Sequence, residues 1–161
     1  MKKIYFTFLL LLLSGCFVPL VEHVDVEEDK FKDLTFICSR IINDYRTAVI
    51  YKLCRCIKAD KSHEDYIHGV EEYGSPEKIE YTEAIDVNKE KIKITSKDDR
   101  RTGMTINKFR VLFPEGYIHK NDEIEVKIYG ASHETVLKIP QSTVMSLRDK
   151  IREIELNKAQ K

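Results

Sequence analysis

Several features that define common protein classes are missing from this chain of 161 residues. It has no excess of charge, with 27 Lys and Arg against 27 Asp and Glu, so it lacks the positive surface that non-specific nucleic-acid binding requires. Its four cysteines are too few for a miniprotein held together mainly by disulfide bonds. With 34% charged and 42% hydrophobic residues, it fits neither a disordered tail nor a multi-span membrane protein. The length suits one folded domain and no nucleic-acid partner is expected.

The sequence also lacks the short motifs that mark common catalytic and metal-binding sites. Its six glycines are isolated, so there is no glycine-rich phosphate loop, and no Gly-x-Ser-x-Gly elbow occurs. A ligand-like cluster of His63, Glu64, Asp65 and His68 does not have the His-Glu-x-x-His spacing of zinc enzymes, and we interpret it as solvated charge. We therefore predict no catalytic residue, no metal site and no cofactor, and keep a hydrolase only as the weakest alternative.

The longest apolar run is short and lies at the N-terminus. Lys2 and Lys3 precede residues 4–13, which include five successive leucines. As a helix this run would rise only about 15 Å, roughly half of a bilayer core. It therefore predicts a signal peptide over residues 1–15 and not a membrane span.

The next residues carry a specific motif. Leu13, Ser14, Gly15 and Cys16 resemble the lipobox of bacterial lipoprotein precursors, in which a leucine and two small residues precede an obligatory cysteine. The resemblance implies cleavage before Cys16 and its acylation, with palmitate among the acyl chains. Each buried methylene contributes about 0.8 kcal/mol, so two or three chains anchor a protein stably. Phe17 stands where an aspartate would favour the inner membrane, so the resemblance implies the outer membrane; we expect the periplasmic face.

The first part of the mature chain is predicted to be a tether. Residues 16–33 contain Pro19 and the acidic stretch 25–29, which leaves few apolar side chains for packing. At a maximum of about 3.5 Å per residue, such a tether could hold a domain about 50 Å from the membrane. The alternative is an edge strand that includes Val21, Val24 and Val26.

Residues 34–139 are predicted to form the folded domain, a mainly β antiparallel sandwich of the Ig-like or transthyretin-like kind. Residues 123–129 alternate between polar and apolar side chains, as a half-buried antiparallel strand does. Other strand-like runs follow at a spacing of about ten residues, separated by turn-forming residues. The ambiguous part is 34–57: its many β-branched residues favour strands over 34–42 and 47–57, whereas its apolar spacing also fits a helix.

Residues 140–161 are predicted to form a C-terminal helix. Pro140 ends the last strand, and Ser142 or Thr143 can cap the helix start. The apolar residues of this helix form a single stripe: Val144, Leu147, Ile151 and Ile154. We favour the interpretation that the stripe covers the sheet; the alternative is a face that binds a partner protein.

Three cysteines remain in the mature chain once Cys16 is acylated. If the two predicted strands of 34–57 form a hairpin, Cys38 can reach Cys54 or Cys56, which share one face of a strand. We favour a Cys38–Cys54 disulfide bond, with Cys38–Cys56 as the alternative, and either would contribute about 3 kcal/mol in the chain-entropy model. Such a bond fits an oxidising compartment such as the periplasm.

The sequence thus predicts a lipid-anchored lipoprotein of the bacterial envelope. Its domain is expected to be a non-enzymatic interaction or assembly module that faces the periplasm. The expected partners are the membrane, through the lipid, and an envelope protein, such as a component of a secretion or conjugation apparatus. The alternative is a small inhibitor or surface-exclusion lipoprotein.

Overall fold

The structure is a computed structural model that describes residues 22–44, 48–74, 80–101, 103–131 and 133–159. The predicted signal peptide and Cys16 lie outside these ranges. The described chain forms ten β-strands: β1 (Val24–Asp29), β2 (Leu34–Ser39), β3 (Ile42–Asp44), β4 (Val49–Ile57), β5 (His63–Tyr73), β6 (Tyr81–Asp86), β7 (Lys91–Arg101), β8 (Met104–Leu112), β9 (Ile124–Gly130) and β10 (Glu134–Ile139). It also forms two helices, α1 (Tyr117–Lys120) and α2 (Gln141–Ala159).

The ten strands belong to one sheet with the order β1-β2-β4-β5-β8-β7-β6-β9-β10, and the short β3 pairs with β4 outside this path. The strand pairs are antiparallel. Strand β7 joins the two halves of the sheet, because residues 93–101 pair with β8 whereas Lys91 and Ile92 pair with β6. The predicted class, mainly β and antiparallel with a C-terminal helix, is confirmed, but the finer division into a two-sheet sandwich is not.

The sheet is curled, so strands that are far apart in its order contact each other. Five strands separate β4 from β10. Even so, the hydroxyl of Tyr51 in β4 donates to the carbonyl of Lys138 in β10 and accepts from the Lys138 amide, each at 3.0 Å. The sheet therefore wraps around an interior that its inward-facing side chains fill.

One stripe of α2 completes this interior. Val144, Leu147 and Ile151 are at most 1% exposed, and Ile154 packs against the same core. The helix lies against β1, β2 and β4, where each such side chain contributes about 1.5–3 kcal/mol on burial. The stripe thus covers the sheet, as we favoured. The alternative of a partner-binding face is wrong, because the chain's own sheet already buries these side chains.

The first described segment is a strand. β1 pairs with β2 along its whole length, from Val24 opposite Ser39 to Asp29 opposite Leu34. Its acidic side chains remain in solvent at the sheet edge, where charge discourages pairing with other chains. The tether predicted over 16–33 is therefore wrong for residues 24–29, and the edge-strand alternative is correct.

Segment 34–57 forms strands and not a helix, as its β-branched residues favoured. The first predicted strand is interrupted, since β2 ends at Ser39 and β3 begins at Ile42. Along β4, alternation directs Val49, Tyr51 and Leu53 into the core, and directs the cysteines of this strand to the opposite face. Within the described residues, neither helix is long and apolar enough to cross a membrane.

Candidate functional site

A cleft of about 560 Å³ opens at one end of the domain. It lies between the β1–β2 turn, the β4–β5 turn and the C-terminal part of α2. Each of these three elements contributes charged side chains to its wall, among them Asp33, Lys58, Glu155 and Lys158. The wall thus carries both signs of charge beside apolar side chains such as Leu34, Ile57 and Ile154, a mixture that suits a protein segment with both polar and apolar groups.

The cleft reaches a buried arginine. Arg55 of β4 is only 2% exposed, yet it belongs to the cleft wall. It faces inward because it continues the core-facing alternation of β4. Asp65 lies directly opposite in β5 and accepts two hydrogen bonds, from Nε at 2.7 Å and from Nη2 at 2.9 Å. This bidentate pair compensates two charges that would be costly to bury alone.

Two further side chains approach the Arg55 guanidinium. His119 of α1 places Nε2 3.2 Å from Nη2. Glu155 of α2 places Oε1 3.9 Å from Nη1, which is longer than a hydrogen bond, and its side chain is 64% exposed. The Glu155 carboxylate can therefore move aside, and Nη1 can then donate to an oxygen atom of a bound molecule.

An aromatic residue lies in the turn that forms the rim of the cleft. Phe31 of the β1–β2 turn is fully exposed and borders a shallow neighbouring hollow together with Phe36, whereas Lys30 and Asp33 of the same turn line the cleft itself. The turn is held by the Phe31 amide, which donates to Oδ1 of Asp29 at 3.1 Å. Aromatic and arginine side chains are enriched among the residues that dominate protein–protein binding energy. The cleft end thus combines both kinds of anchor.

The outward face of the sheet carries the three predicted cysteines. Cys38 and Cys54 lie opposite each other in β2 and β4 and form a disulfide bond, which confirms the favoured pairing. Cys56 is a free, buried thiol. Burial and the Glu64 carboxylate raise the pKa of Cys56, so it stays protonated at neutral pH and is a poor nucleophile.

The ligand-like cluster predicted over residues 63–68 is divided between the two faces of β5. Asp65 points inward to Arg55 and is buried, which corrects its interpretation as solvated charge. Glu64 forms an ion pair with Lys58 at 2.6 Å. Within the described residues, the buried Nδ1 of the outward-facing His68 has no hydrogen-bond partner. In the part of the chain that the structure describes, no group of three or more His, Cys, Asp or Glu is placed to hold a metal ion.

The outward-facing His68 lies among cations. Its partners in register are Lys52 of β4 and Arg110 of β8, and the Arg110 guanidinium stacks 4.8 Å above the Tyr66 ring. Burial and the charges of Arg110 and Lys52 lower the pKa of His68, so this imidazole is neutral at pH 7. We interpret this row as a solvated basic face of the sheet.

A second buried polar cluster joins β5, β6 and β10. The Tyr81 hydroxyl donates to Oε2 of Glu71 at 2.6 Å and lies 3.2 Å from Oγ1 of Thr135. Nε2 of His133 is 3.5 Å from the same Glu71 oxygen, without hydrogen-bond geometry. Burial and the Glu71 carboxylate raise the pKa of Tyr81 far above its usual value, so the phenol remains a donor. These bonds link strands of the curled sheet.

The residues around the buried end of the cleft were not predicted from the sequence. Arg55, Asp65 and His119 were not predicted as site residues, although one signal was present. Arg55 has the inward parity of β4, and an inward arginine requires a buried anion, which Asp65 supplies across the β4–β5 turn. The chain carries no comparable sequence signal for His119, which α1 brings to the pair from a distant part of the chain.

Comparison of the chain with protein-family models, with curated proteins and with solved structures finds no match in any of the three. The function is therefore argued from the residues of this chain.

Proposed function

We propose that this chain is a lipid-anchored lipoprotein of the bacterial outer membrane, and that its domain is a non-enzymatic interaction module for another envelope protein. The observation that carries the proposal is the Cys38–Cys54 disulfide bond in a chain whose residues 1–16 resemble the signal peptide and lipobox of a lipoprotein precursor. Structural disulfide bonds persist in oxidising compartments, and the periplasm is such a compartment.

The cleft is the surface that supports partner binding best. A partner segment would place a carboxylate or carbonyl oxygen on Nη1 of Arg55 and pack an apolar group against Phe31. The Asp65 carboxylate already pairs with Arg55 through both oxygens, which fixes the guanidinium in place before a partner arrives. Such preorganisation favours binding, because less side-chain entropy is lost in the complex.

The lipid anchor is tested by Cys16→Ser in the full chain, followed in growing bacteria by labelling with palmitate. Loss of the label and release of the protein from the membrane fraction are expected, because the thioether can form only on the cysteine thiol. Cys56→Ser is the matched control and should keep the label. Continued labelling of Cys16→Ser would refute the anchor.

The partner surface is tested by placing a benzophenone amino acid at Phe31 in the full chain and irradiating intact cells. A discrete covalent adduct with one envelope protein is expected. The control carries the same group at Val87, which is also exposed but lies in the β6–β7 turn, outside the elements that border the cleft. Adducts of equal pattern from both positions, or none from position 31, would contradict a partner at the cleft.

Phe31 also favours a second function, that of an inhibitor. A turn that presents a fully exposed aromatic side chain can enter the active-site groove of a target enzyme such as a lysozyme. In that case the purified protein without its anchor should block the target, and Phe31→Ala should abolish the block. An assembly module would leave the enzyme active in the same assay.

A further inference from the structure

The first described residue is fixed to the beginning of α2. The Glu22 carboxylate accepts hydrogen bonds from the hydroxyl groups of Thr143 and Ser142, the latter at 2.7 Å, and the Glu22 amide donates to Oγ of Ser146 at 3.2 Å. Burial alone would raise the pKa of Glu22, but these hydroxyl groups and the charge of Arg40 hold it below its usual range. The ionised carboxylate suits a helix N-terminus, and α2 has no acidic residue in its own first turn.

Very little chain separates this contact from the lipid attachment site. The five residues between Cys16 and Glu22 are Phe17, Val18, Pro19, Leu20 and Val21. Fully extended, the segment spans about 20 Å, less than half of the reach expected when residues 16–33 formed the tether. It contains no polar or charged side chain, and such a composition partitions to a bilayer interface rather than to water. A lipid on Cys16 would therefore keep the domain next to the membrane.

Two exposed apolar residues are sequence neighbours of residues that act on Glu22. Met145 directly precedes Ser146, which binds the Glu22 amide, and is 48% exposed. Ile41 directly follows Arg40, whose charge acts on Glu22, and is 63% exposed. Both residues thus lie on the part of the domain from which the chain leaves toward the lipid.

We propose that this part of the domain, the anchor end, defined by Glu22, Ile41 and Met145, rests on the surface of the lipid bilayer. The inference rests on the proposed lipid anchor and names the surface that the anchor brings to the membrane. Ile41 and Met145 insert among the lipid headgroups, and Arg40 contacts lipid phosphates. The rise of α2 from its start to Glu155 is about 20 Å, so the cleft is held away from the bilayer.

The chain contains no tryptophan, so one introduced tryptophan reports on its own position. The lipidated full chain is reconstituted in vesicles of phosphatidylethanolamine and phosphatidylglycerol, part of which carry brominated acyl chains that quench tryptophan. Ile41→Trp and Met145→Trp should lose emission roughly twofold and shift to the blue, because interfacial side chains reach the headgroup–acyl boundary. Phe31→Trp and Leu156→Trp are matched controls and should be unaffected, because both residues are exposed and belong to the β1–β2 turn and the C-terminal part of α2, the elements that border the cleft.

Flotation of the vesicles separates the two possible failures. If the protein floats but Ile41→Trp and Met145→Trp are not quenched, the anchor stands and the inference is overturned. If all four variants are quenched equally, the domain has no fixed face on the bilayer and the inference is again overturned. If the protein is neither acylated nor floats, the anchor itself fails, and the inference falls with it. Circular dichroism of each variant establishes that the fold is retained.

Discussion

The two ends of α2 hold polar sites of opposite kinds. At the anchor end the Glu22 carboxylate is bound through both oxygens by hydroxyl groups of the helix start. At the cleft end the Arg55 guanidinium is bound on Nε and Nη2, while among the described residues Nη1 is approached by the exposed Glu155 at 3.9 Å. A carboxylate bound through both oxygens can fix the chain, whereas a buried cation with one weakly bound nitrogen can also donate to a ligand oxygen. This difference supports our proposal that one end holds the chain in place and the other binds a partner.

At the cleft end, the largest loss of stability is expected when one member of the Arg55–Asp65 ion pair is removed. Asp65→Ala leaves Arg55 buried without its anion and should lower the free energy of unfolding by about 3–5 kcal/mol, measured by urea denaturation. The double variant Arg55→Leu with Asp65→Leu should regain most of that stability. If it also retains the adduct from position 31, Arg55 holds the fold and does not bind the partner.

Removal of the disulfide bond tests whether the anchor end and the cleft end unfold together. The bond joins β2 and β4, which extend from one end to the other. Cys38→Ser with Cys54→Ser should cost about 3 kcal/mol, in a single transition that is the same by fluorescence and by circular dichroism. Cys56→Ser is the matched control and should cost much less. Two separate transitions would show that the ends unfold independently.

The anchor end should respond to pH through Glu22. Glu22→Gln should cost about 1 kcal/mol at pH 7, because one charged acceptor of two hydroxyl hydrogen bonds is lost. The pKa of Glu22 is lowered in the folded state, so its stabilising contribution is present above the unfolded pKa and is lost as the pH falls through the folded pKa. The difference between wild type and Glu22→Gln should therefore vanish in acid. A constant difference would contradict the assignment.

The smallest effect on stability is expected at the cleft rim. Phe31→Ala removes a side chain that is fully exposed, so the free energy of unfolding should change by less than about 0.5 kcal/mol. Binding of the crosslinked partner should nevertheless fall, which would separate recognition from folding at this end. If Phe31→Ala binds the partner as well as the wild type does, the partner contacts the cleft itself and not Phe31.

The elements that could be predicted from sequence are those whose side chains alternate or repeat. The alternation over 123–129 predicts β9, and the stripe of residues 144–154 predicts which face of α2 is buried. The pairing of Cys38 with Cys54 was accessible because strand parity limits the choices. In each case the signal depends on residues close in sequence.

The elements that could not be predicted depend on charge whose environment is set by distant parts of the chain. β1 is acidic and mostly exposed, with Val24 alone packed against the core, so its apolar signal is weak and its backbone pairing with β2 is what holds it as a strand. Arg55 and Asp65 face the core, where hydropathy predicts no charge, and each is accommodated only because the other is present. The sequence contains both residues but not the information that they are buried together.

The hydrogen bonds between Tyr51 and Lys138 affect how copies of this protein can pair with one another through their sheet edges. The Tyr51 hydroxyl group occupies the amide and the carbonyl of Lys138 in the edge strand β10, so a foreign strand cannot pair with that residue. At the opposite edge, β1 presents a row of carboxylates that repel an approaching copy. Proteins confined to a membrane plane meet one another far more often than proteins free in solution. Each edge of this sheet therefore carries a feature that opposes strand pairing in the collisions that such confinement would cause.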